Sequence, residues 1–89
     1  MDIPEEQGYY VYLIKCKDDS LYCGWTNNLK RRYEKHVSGK GAKYTKAHPP
    51  VALYYWEQLG SASEAMKREY QIKQMSHKQK LSLLFYKVE

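Results

Sequence analysis

Five residues suited to phosphate chemistry are spread over three segments of the chain: Tyr12, Tyr22, Arg32, His36 and Glu69. A carboxylate can hold a hard divalent cation through oxygen, and a guanidinium can stabilise the charge that develops on a phosphate. A tyrosine hydroxyl has an ordinary pKa of about 10, so it acts as a base near neutral pH only where a nearby cation favours its ionised form. If these side chains meet in the fold, they predict phosphodiester hydrolysis.

Helical spacing indicates how some of these groups are presented. Arg32 and His36 are four residues apart, so on a helix both project from one face. Glu69 falls on a stripe of mostly packing residues, where a half-buried carboxylate needs a partner such as a metal ion or an arginine. Two structural alternatives stay open: Glu69 can pair with Lys73 at i,i+4, and His36 can simply be a residue favoured at the helix C-terminus.

Positive charge is concentrated next to these residues. The formal net charge of the 89-residue chain is +5, and residues 30 to 46 carry seven lysines and arginines against one acid, Glu34. Such a basic segment favours a nucleic-acid partner, although a solvated surface is the plainer alternative. The contacts that we expect with nucleic acid come from Lys30, Arg31, Lys35, Lys40, Lys43 and Lys46.

The elements that must position these groups follow from local patterns. Aromatic and β-branched residues at 9–16, a polar turn and the segment 21–25 predict a β-hairpin. Apolar spacing predicts a helix over about 28–37, whereas two glycines and two prolines predict a long surface loop over 38–50. A third strand is expected over 51–57.

Two capping boxes predict the remaining helices. Ser61 with Glu64 begins a helix that extends to about residue 75, and Ser76 with Gln79 begins another. In the last helix, the residues expected to face inward are Leu81, Leu84 and Phe85. The sequence therefore predicts one α+β domain over 1–89, with its core over about 9–85. In this fold a small three-stranded antiparallel sheet is flanked by helices in the order β-β-α-β-α-α.

The hairpin motifs resemble those of a known family. Tyr10-Val11-Tyr12, followed ten residues later by Tyr22-Cys23-Gly24, is similar to the paired motifs of the GIY-YIG nucleases, especially their small stand-alone bacterial members. Arg32 lies eight residues beyond the motif glycine, as the family's arginine does. Tyr10 and Cys23 depart from the usual glycine and from the usual isoleucine or valine, and Trp25 stands where some relatives carry a lysine.

The resemblance implies a role for each candidate residue. Tyr22 would be the general base towards water, Tyr12 a contact to phosphate or water, and Arg32 the clamp on the scissile phosphate. Glu69 would hold a single Mg²⁺ or Mn²⁺ ion, and His36 would assist in positioning or proton transfer. The implied activity is DNA endonuclease activity of structure-selective or low specificity in repair or recombination, on branched or flapped substrates, with a protein partner that supplies specificity.

Two other functions remain open at this stage: a nucleic-acid-binding module with weak or absent cleavage, and a protein-interaction adaptor. No apolar run approaches the roughly 20 residues that cross a bilayer, and the acidic first residues do not suit a signal peptide. We therefore expect a cytoplasmic protein without a membrane partner, in which Cys16 and Cys23 are free thiols.

Overall fold

The computed structural model describes residues 3–86, so residues 1–2 and 87–89 of the predicted domain lie outside the described part. This part confirms the α+β class, with an antiparallel sheet and flanking helices. Its elements are β1 (Tyr9–Cys16), β2 (Leu21–Thr26), α1 (Leu29–Val37), α2 (Lys43–Ala47), β3 (Pro50–Leu59), α3 (Ala62–Lys73) and α4 (His77–Tyr86).

Strand β1 is the centre of the sheet, whose order is β2-β1-β3. Both pairings are antiparallel, and Tyr12 lies opposite Gly24 on β2 and Trp56 on β3. Residues 10–14 of β1 are all buried because helices cover both faces of the sheet, which explains their continuous apolar pattern. Strand β2 lies at one edge of the sheet, and groups on the two faces of the sheet can approach each other around such an edge.

The two faces of the sheet form two separate cores, because successive side chains of a strand point to opposite sides. One core packs against α3 and α4, and its buried members are Val11, Leu13, Leu21, Cys23, Tyr55, Ala65, Ile72 and Leu83. The other packs against α1, and its buried members are Tyr10, Tyr12, Ile14, Cys16 and Leu29. Trp25 packs, partly buried, against the first core.

The predicted capping boxes are confirmed. Ser61 Oγ accepts a hydrogen bond from the Glu64 amide at 3.1 Å. Ser76 Oγ accepts one from the Gln79 amide at 3.1 Å, while the Ser76 amide donates to Gln79 Oε1 at 2.8 Å. Each bond satisfies an amide that a helix start leaves unpaired, so these short motifs determine where α3 and α4 begin.

Two predictions about local structure are wrong. Residues 38–50 are not entirely loop, since Lys43–Ala47 forms α2, with Thr45 buried against α1. Leu84 and Phe85 do not point inward, for 37% and 74% of their surfaces are exposed, whereas Leu83 is buried. α4 is held over β3 by a hydrogen bond from the Tyr54 hydroxyl to the Leu81 carbonyl, and this contact presents the Leu83 side of the helix to the core.

Two further properties concern the cysteines and the length of the helices. Cys16 and Cys23 are buried free thiols, as expected. None of the helices between residues 3 and 86 combines the length and the apolar surface that a bilayer crossing requires.

Candidate active site

A buried chain of hydrogen bonds joins three segments on the α1 face of the sheet. The Tyr12 hydroxyl of β1 lies 2.9 Å from His36 Nε2 of α1, and His36 Nδ1 lies 2.7 Å from Thr45 Oγ1 of α2. All three residues are at most 2% exposed. Thr45 Oγ1 in turn donates to the Ala42 carbonyl at 3.0 Å.

The direction of this chain follows from counting protons. We assign the single hydroxyl proton of Thr45 to the Ala42 carbonyl, and in this assignment Thr45 Oγ1 accepts from His36 Nδ1–H. The other ring nitrogen, Nε2, then offers a lone pair and accepts the Tyr12 proton. His36 is therefore a neutral imidazole protonated at Nδ1, and Tyr12 is a neutral phenol that donates.

Electrostatics favour the same protonation states. Burial, with a smaller contribution from the positive charge of Arg32, lowers the pKa of His36 to about 4. Burial also raises the pKa of Tyr12 to about 12, although the nearby Arg32 guanidinium acts in the opposite direction. At neutral pH both groups are uncharged, and Tyr12 does not serve as a base in this arrangement.

Two glycines make room for the chain. A Cβ at Gly24 would lie 2.5 Å from the Tyr12 hydroxyl oxygen, and one at Gly41 would lie 2.5 Å from His36 Nδ1. Both positions therefore need glycine because a side chain there would displace a buried ring. Gly24, the glycine of the second hairpin motif, therefore lets the phenol of Tyr12 in the first motif lie close against β2.

Tyr22 lies at the outer side of this pair. Its ring centroid is 5.3 Å from that of His36 and 6.5 Å from that of Tyr12. Tyr44 of α2 stacks on Tyr22 at 5.6 Å, and His48 stacks on Tyr44 at 4.1 Å. Tyr22 is half-buried, and its hydroxyl makes no hydrogen bond within the described residues. Of the two motif phenols, only Tyr22 is placed to meet solvent or a ligand.

The aromatic stack of Tyr22, Tyr44 and His48 is hydrogen-bonded to the β1–β2 turn. His48 Nδ1 donates to Asp18 Oδ2 at 2.8 Å, and the Lys17 amide donates to the Pro49 carbonyl at 2.8 Å. Hydrogen bonds from Ser20 lower the pKa of Asp18 to about 2, so this carboxylate is charged at neutral pH. The segment after α2 is therefore tied to the β1–β2 turn at two points.

Arg32 lies between the buried pair of Tyr12 and His36 and a cleft on the surface. The cleft has a volume of about 290 Å³ and is lined by Gln7, Thr26, Asn27, Asn28, Arg31, Arg32 and Lys35. Lys30 does not line it, because its ammonium group pairs with Glu5 Oε2 at 3.0 Å on an adjacent face. Lys40, Lys43 and Lys46 are exposed, and their predicted contacts with nucleic acid stay predictions.

Glu69 lies on the opposite face of the sheet. Its carboxylate pairs with Lys73 at 3.4 Å, with 22% of the Glu69 side chain exposed, and its main-chain carbonyl lies 3.9 Å from Cys23 Sγ. Burial first, and then the negative charge of Glu69, raise the pKa of Cys23 to about 12, so the carboxylate is close to β2. Glu69 and Tyr22 thus lie on either side of the edge strand, and among residues 3–86 no hydrogen bond links Glu69 to the phenols.

The donor set limits the metal that this protein can hold. Within the described residues, no group of three or more histidine, cysteine or acidic side chains is arranged as a metal site. A closed cage for zinc or calcium does not fit that arrangement. Mg²⁺ or Mn²⁺ fits, because such ions are commonly held by one or two carboxylates, with water and substrate phosphate as the other ligands. Glu69 is the one carboxylate among the predicted site residues, and in this structure it pairs with Lys73.

The structure brings four of the five predicted residues into one region, namely Tyr12, Tyr22, Arg32 and His36. Sequence reasoning missed Thr45, which holds the His36 tautomer, and Tyr44, which covers Tyr22. One signal was available: a histidine on a packing face needs partners for both ring nitrogens. Which downstream hydroxyl supplies the second partner depends on the tertiary fold.

Known proteins resemble this chain in sequence and in fold. The chain matches the family model of the GIY-YIG catalytic domain over residues 8–82. The chain belongs to the GIY-YIG family. A UPF0213 protein of Staphylococcus haemolyticus is 55% identical over 76 residues, which cover 85% of this chain and 93% of that protein. A UPF0213 protein of Clostridium perfringens is 53% identical over 75 residues, with 84% and 81% covered.

Two solved structures resemble this GIY-YIG domain. The solution NMR structure of the UPF0213 protein BH0048 from Bacillus halodurans has a TM-score of 0.55 and 45% identity, with 85% of this chain and 81% of that chain covered. The solution NMR structure of the protein EF2693 from E. faecalis has a TM-score of 0.65 and 35% identity, with 98% and 95% covered. This protein is thus similar to small bacterial GIY-YIG proteins along most of its length.

Proposed function

We propose that this GIY-YIG protein is a divalent-metal-dependent endonuclease that hydrolyses DNA phosphodiester bonds with structure-selective or low specificity. The observation that carries the proposal is the convergence of Tyr22, Arg32 and His36 around the buried Tyr12 hydroxyl. Family membership supports the reaction type. The basic cleft beside Arg32 supports an anionic polymer as the substrate.

The roles follow from exposure and hydrogen bonding. Arg32 lies between the cleft and the phenol pair, where its guanidinium can stabilise charge that develops on a bound phosphate. Tyr22 is the phenol that, once ionised to the phenolate, can take a proton from water, because its hydroxyl has no hydrogen-bond partner within the described residues, whereas the proton of Tyr12 is held by His36 Nε2. Tyr12 and His36 are positioning residues in this scheme, and Thr45 fixes the tautomer that lets them pair.

Glu69 would hold the divalent ion at the free edge of β2. Arg68 of the same helix points towards β3, where it binds Glu57, and Glu69 is directed towards β2 and Cys23. We place the ion there because Glu69 and Tyr22 lie on either side of this edge strand. When bound, the ion supplies charge neutralisation and a more acidic water.

The test is cleavage of plasmid, flap and branched DNA by the full chain in Mg²⁺ or Mn²⁺. We expect Tyr22→Phe and Glu69→Gln each to lower the rate by about 10²-fold or more, the range typical of lost proton transfer or electrostatic stabilisation. Tyr9→Phe and Glu34→Gln are matched controls on exposed positions and should cleave at the wild-type rate. Equal residual cleavage by all five proteins would identify a contaminant and contradict the proposal.

One observation favours a second candidate, a nucleic-acid-binding module without cleavage. The Glu69 carboxylate is already paired with Lys73, so the acid that the reaction needs is occupied in this structure. A binder would retain DNA affinity that falls with salt, while neither Mg²⁺ nor Mn²⁺ would convert binding into cutting. The same assay therefore separates the two candidates.

A further inference from the structure

The surface cleft beside Arg32 has an unusual charge pattern. It lies between the segment before β1, the β2–α1 turn and the first turns of α1, and none of the described residues that line it is acidic. Three of them are cations, Arg31, Arg32 and Lys35. Within residues 3–86, none of the three forms an ion pair, whereas the neighbouring Lys30 is paired with Glu5.

The charged side chains at the start of α1 are arranged unfavourably for the helix itself. Arg31 and Lys35 are one turn apart, so two like charges face each other on one side of α1, an arrangement that weakens a helix. The first turn of α1 carries no acid, although the positive end of the helix dipole favours one. An anion in the cleft would relieve both effects, since it would sit between the two cations and near the helix start.

The cleft is continuous with the site described above. Arg32 lines it and also opposes the burial that raises the pKa of the Tyr12 hydroxyl, so one guanidinium borders both places. Gln7 and Asn27 add side-chain amides that can donate to phosphate oxygens. A strand whose scissile phosphate lies at Arg32 must continue on one side or the other, and on the cleft side it meets Arg31 and Lys35.

We propose that this cleft binds a second phosphate group of the substrate strand, adjacent to the one at Arg32, through Arg31 and Lys35. The inference rests on the proposed function, because it takes a DNA strand as the substrate. Its test measures binding alone and does not depend on cleavage. A phosphate held there fixes the direction in which the strand crosses Tyr22. It also requires that the cleaved strand extend past the scissile bond on the cleft side.

The test is the salt dependence of DNA binding by the full chain in metal-free buffer, where no cleavage interferes. The probe is a short fluorescent DNA duplex. Each lost phosphate contact lowers the magnitude of the slope of log K against log salt by about 0.9 for duplex DNA. Because Arg31 and Lys35 would share one phosphate, the double variant Arg31→Gln/Lys35→Gln should lower it by about that amount, and each single variant by a part of it. Lys67→Gln is the matched control, because Lys67 is an exposed lysine of α3, away from the cleft, and forms no ion pair within the described residues.

Two outcomes would overturn the inference. One is a wild-type slope in both variants, and the other is an equal loss in Lys67→Gln, which would indicate general surface charge. Where cleavage is measurable, Arg31→Gln and Lys35→Gln should raise KM and leave kcat within about twofold, whereas Arg32→Ala should lower kcat. If no cleavage is found but the salt-dependence slopes change as expected, the nuclease proposal is refuted and the phosphate site in the cleft is retained. The failure of one proposal can therefore be told from the failure of the other.

Discussion

The neutral, buried His36 makes the stability of this protein depend on pH in a calculable way. Its folded pKa of about 4 lies below the ordinary value of 6.5, so the unfolded chain binds the proton more tightly. The associated stability is therefore fully present above pH 6.5 and is lost as pH falls towards 4. The full difference of 2.5 pH units corresponds to about 3 kcal/mol.

Most of this loss should occur before carboxylates begin to titrate. Between about pH 7.5 and about pH 5, we expect His36 to remove about 2 kcal/mol from the free energy of unfolding. Urea unfolding at several pH values measures the loss in the wild type and in His36→Gln, which lacks the titrating ring. His48 and His77 are present in both proteins, so the difference between the two pH profiles isolates His36.

A second measurement keeps the reasoning testable if the variant does not fold. In a ¹⁵N NMR titration of the wild type, the His36 ring should show a proton on Nδ1 and no titration down to about pH 5. Parallel pH profiles for wild type and variant, or a His36 pKa near the ordinary 6.5, would refute the assignment of a neutral ring locked between Tyr12 and Thr45.

Two substitutions test the parts that hold this ring in place. Gly24→Ala puts a Cβ 2.5 Å from the Tyr12 hydroxyl and should cost about 1–3 kcal/mol in urea unfolding, as overpacking of an interior does. Gly60→Ala is its control, because there the Cβ meets only the end of an exposed side chain, and a similar loss in both would contradict the steric argument. Thr45→Val removes the acceptor of His36 Nδ1–H and should cost about 1–3 kcal/mol by leaving a buried donor unpaired. An unchanged unfolding midpoint for Thr45→Val would mean that this bond is absent in solution.

Local rules predicted those parts of the fold that depend on neighbours in sequence. The capping boxes at Ser61 and Ser76 mark helix starts because the bonds that they make span only three residues. The buried strand β1 was equally predictable, since its composition alone separates it from the turn that follows. The motif spacing also placed Arg32 and His36 on one face of α1, where the structure has them.

The errors lie where the tertiary fold overrides local sequence. α2 has five residues and no apolar repeat, and what stabilises it is Thr45 packed on His36, a contact nine residues apart. The position of Glu69 relative to the phenols could not be predicted either, because helical periodicity only shows that a residue faces the sheet. It does not show which face of the sheet the helix covers, and α3 covers the one opposite to Tyr12.

The double tie between the β1–β2 turn and the segment after α2 has a dynamic consequence. The Lys17 amide is bonded to Pro49, and Asp18 holds His48, so neither segment can lift without breaking bonds of the other. Tyr44, stacked between His48 and Tyr22, must move with them. We therefore expect local unfolding here to be a single cooperative event, in which a turn distant in sequence governs how often the face of Tyr22 that Tyr44 covers becomes accessible.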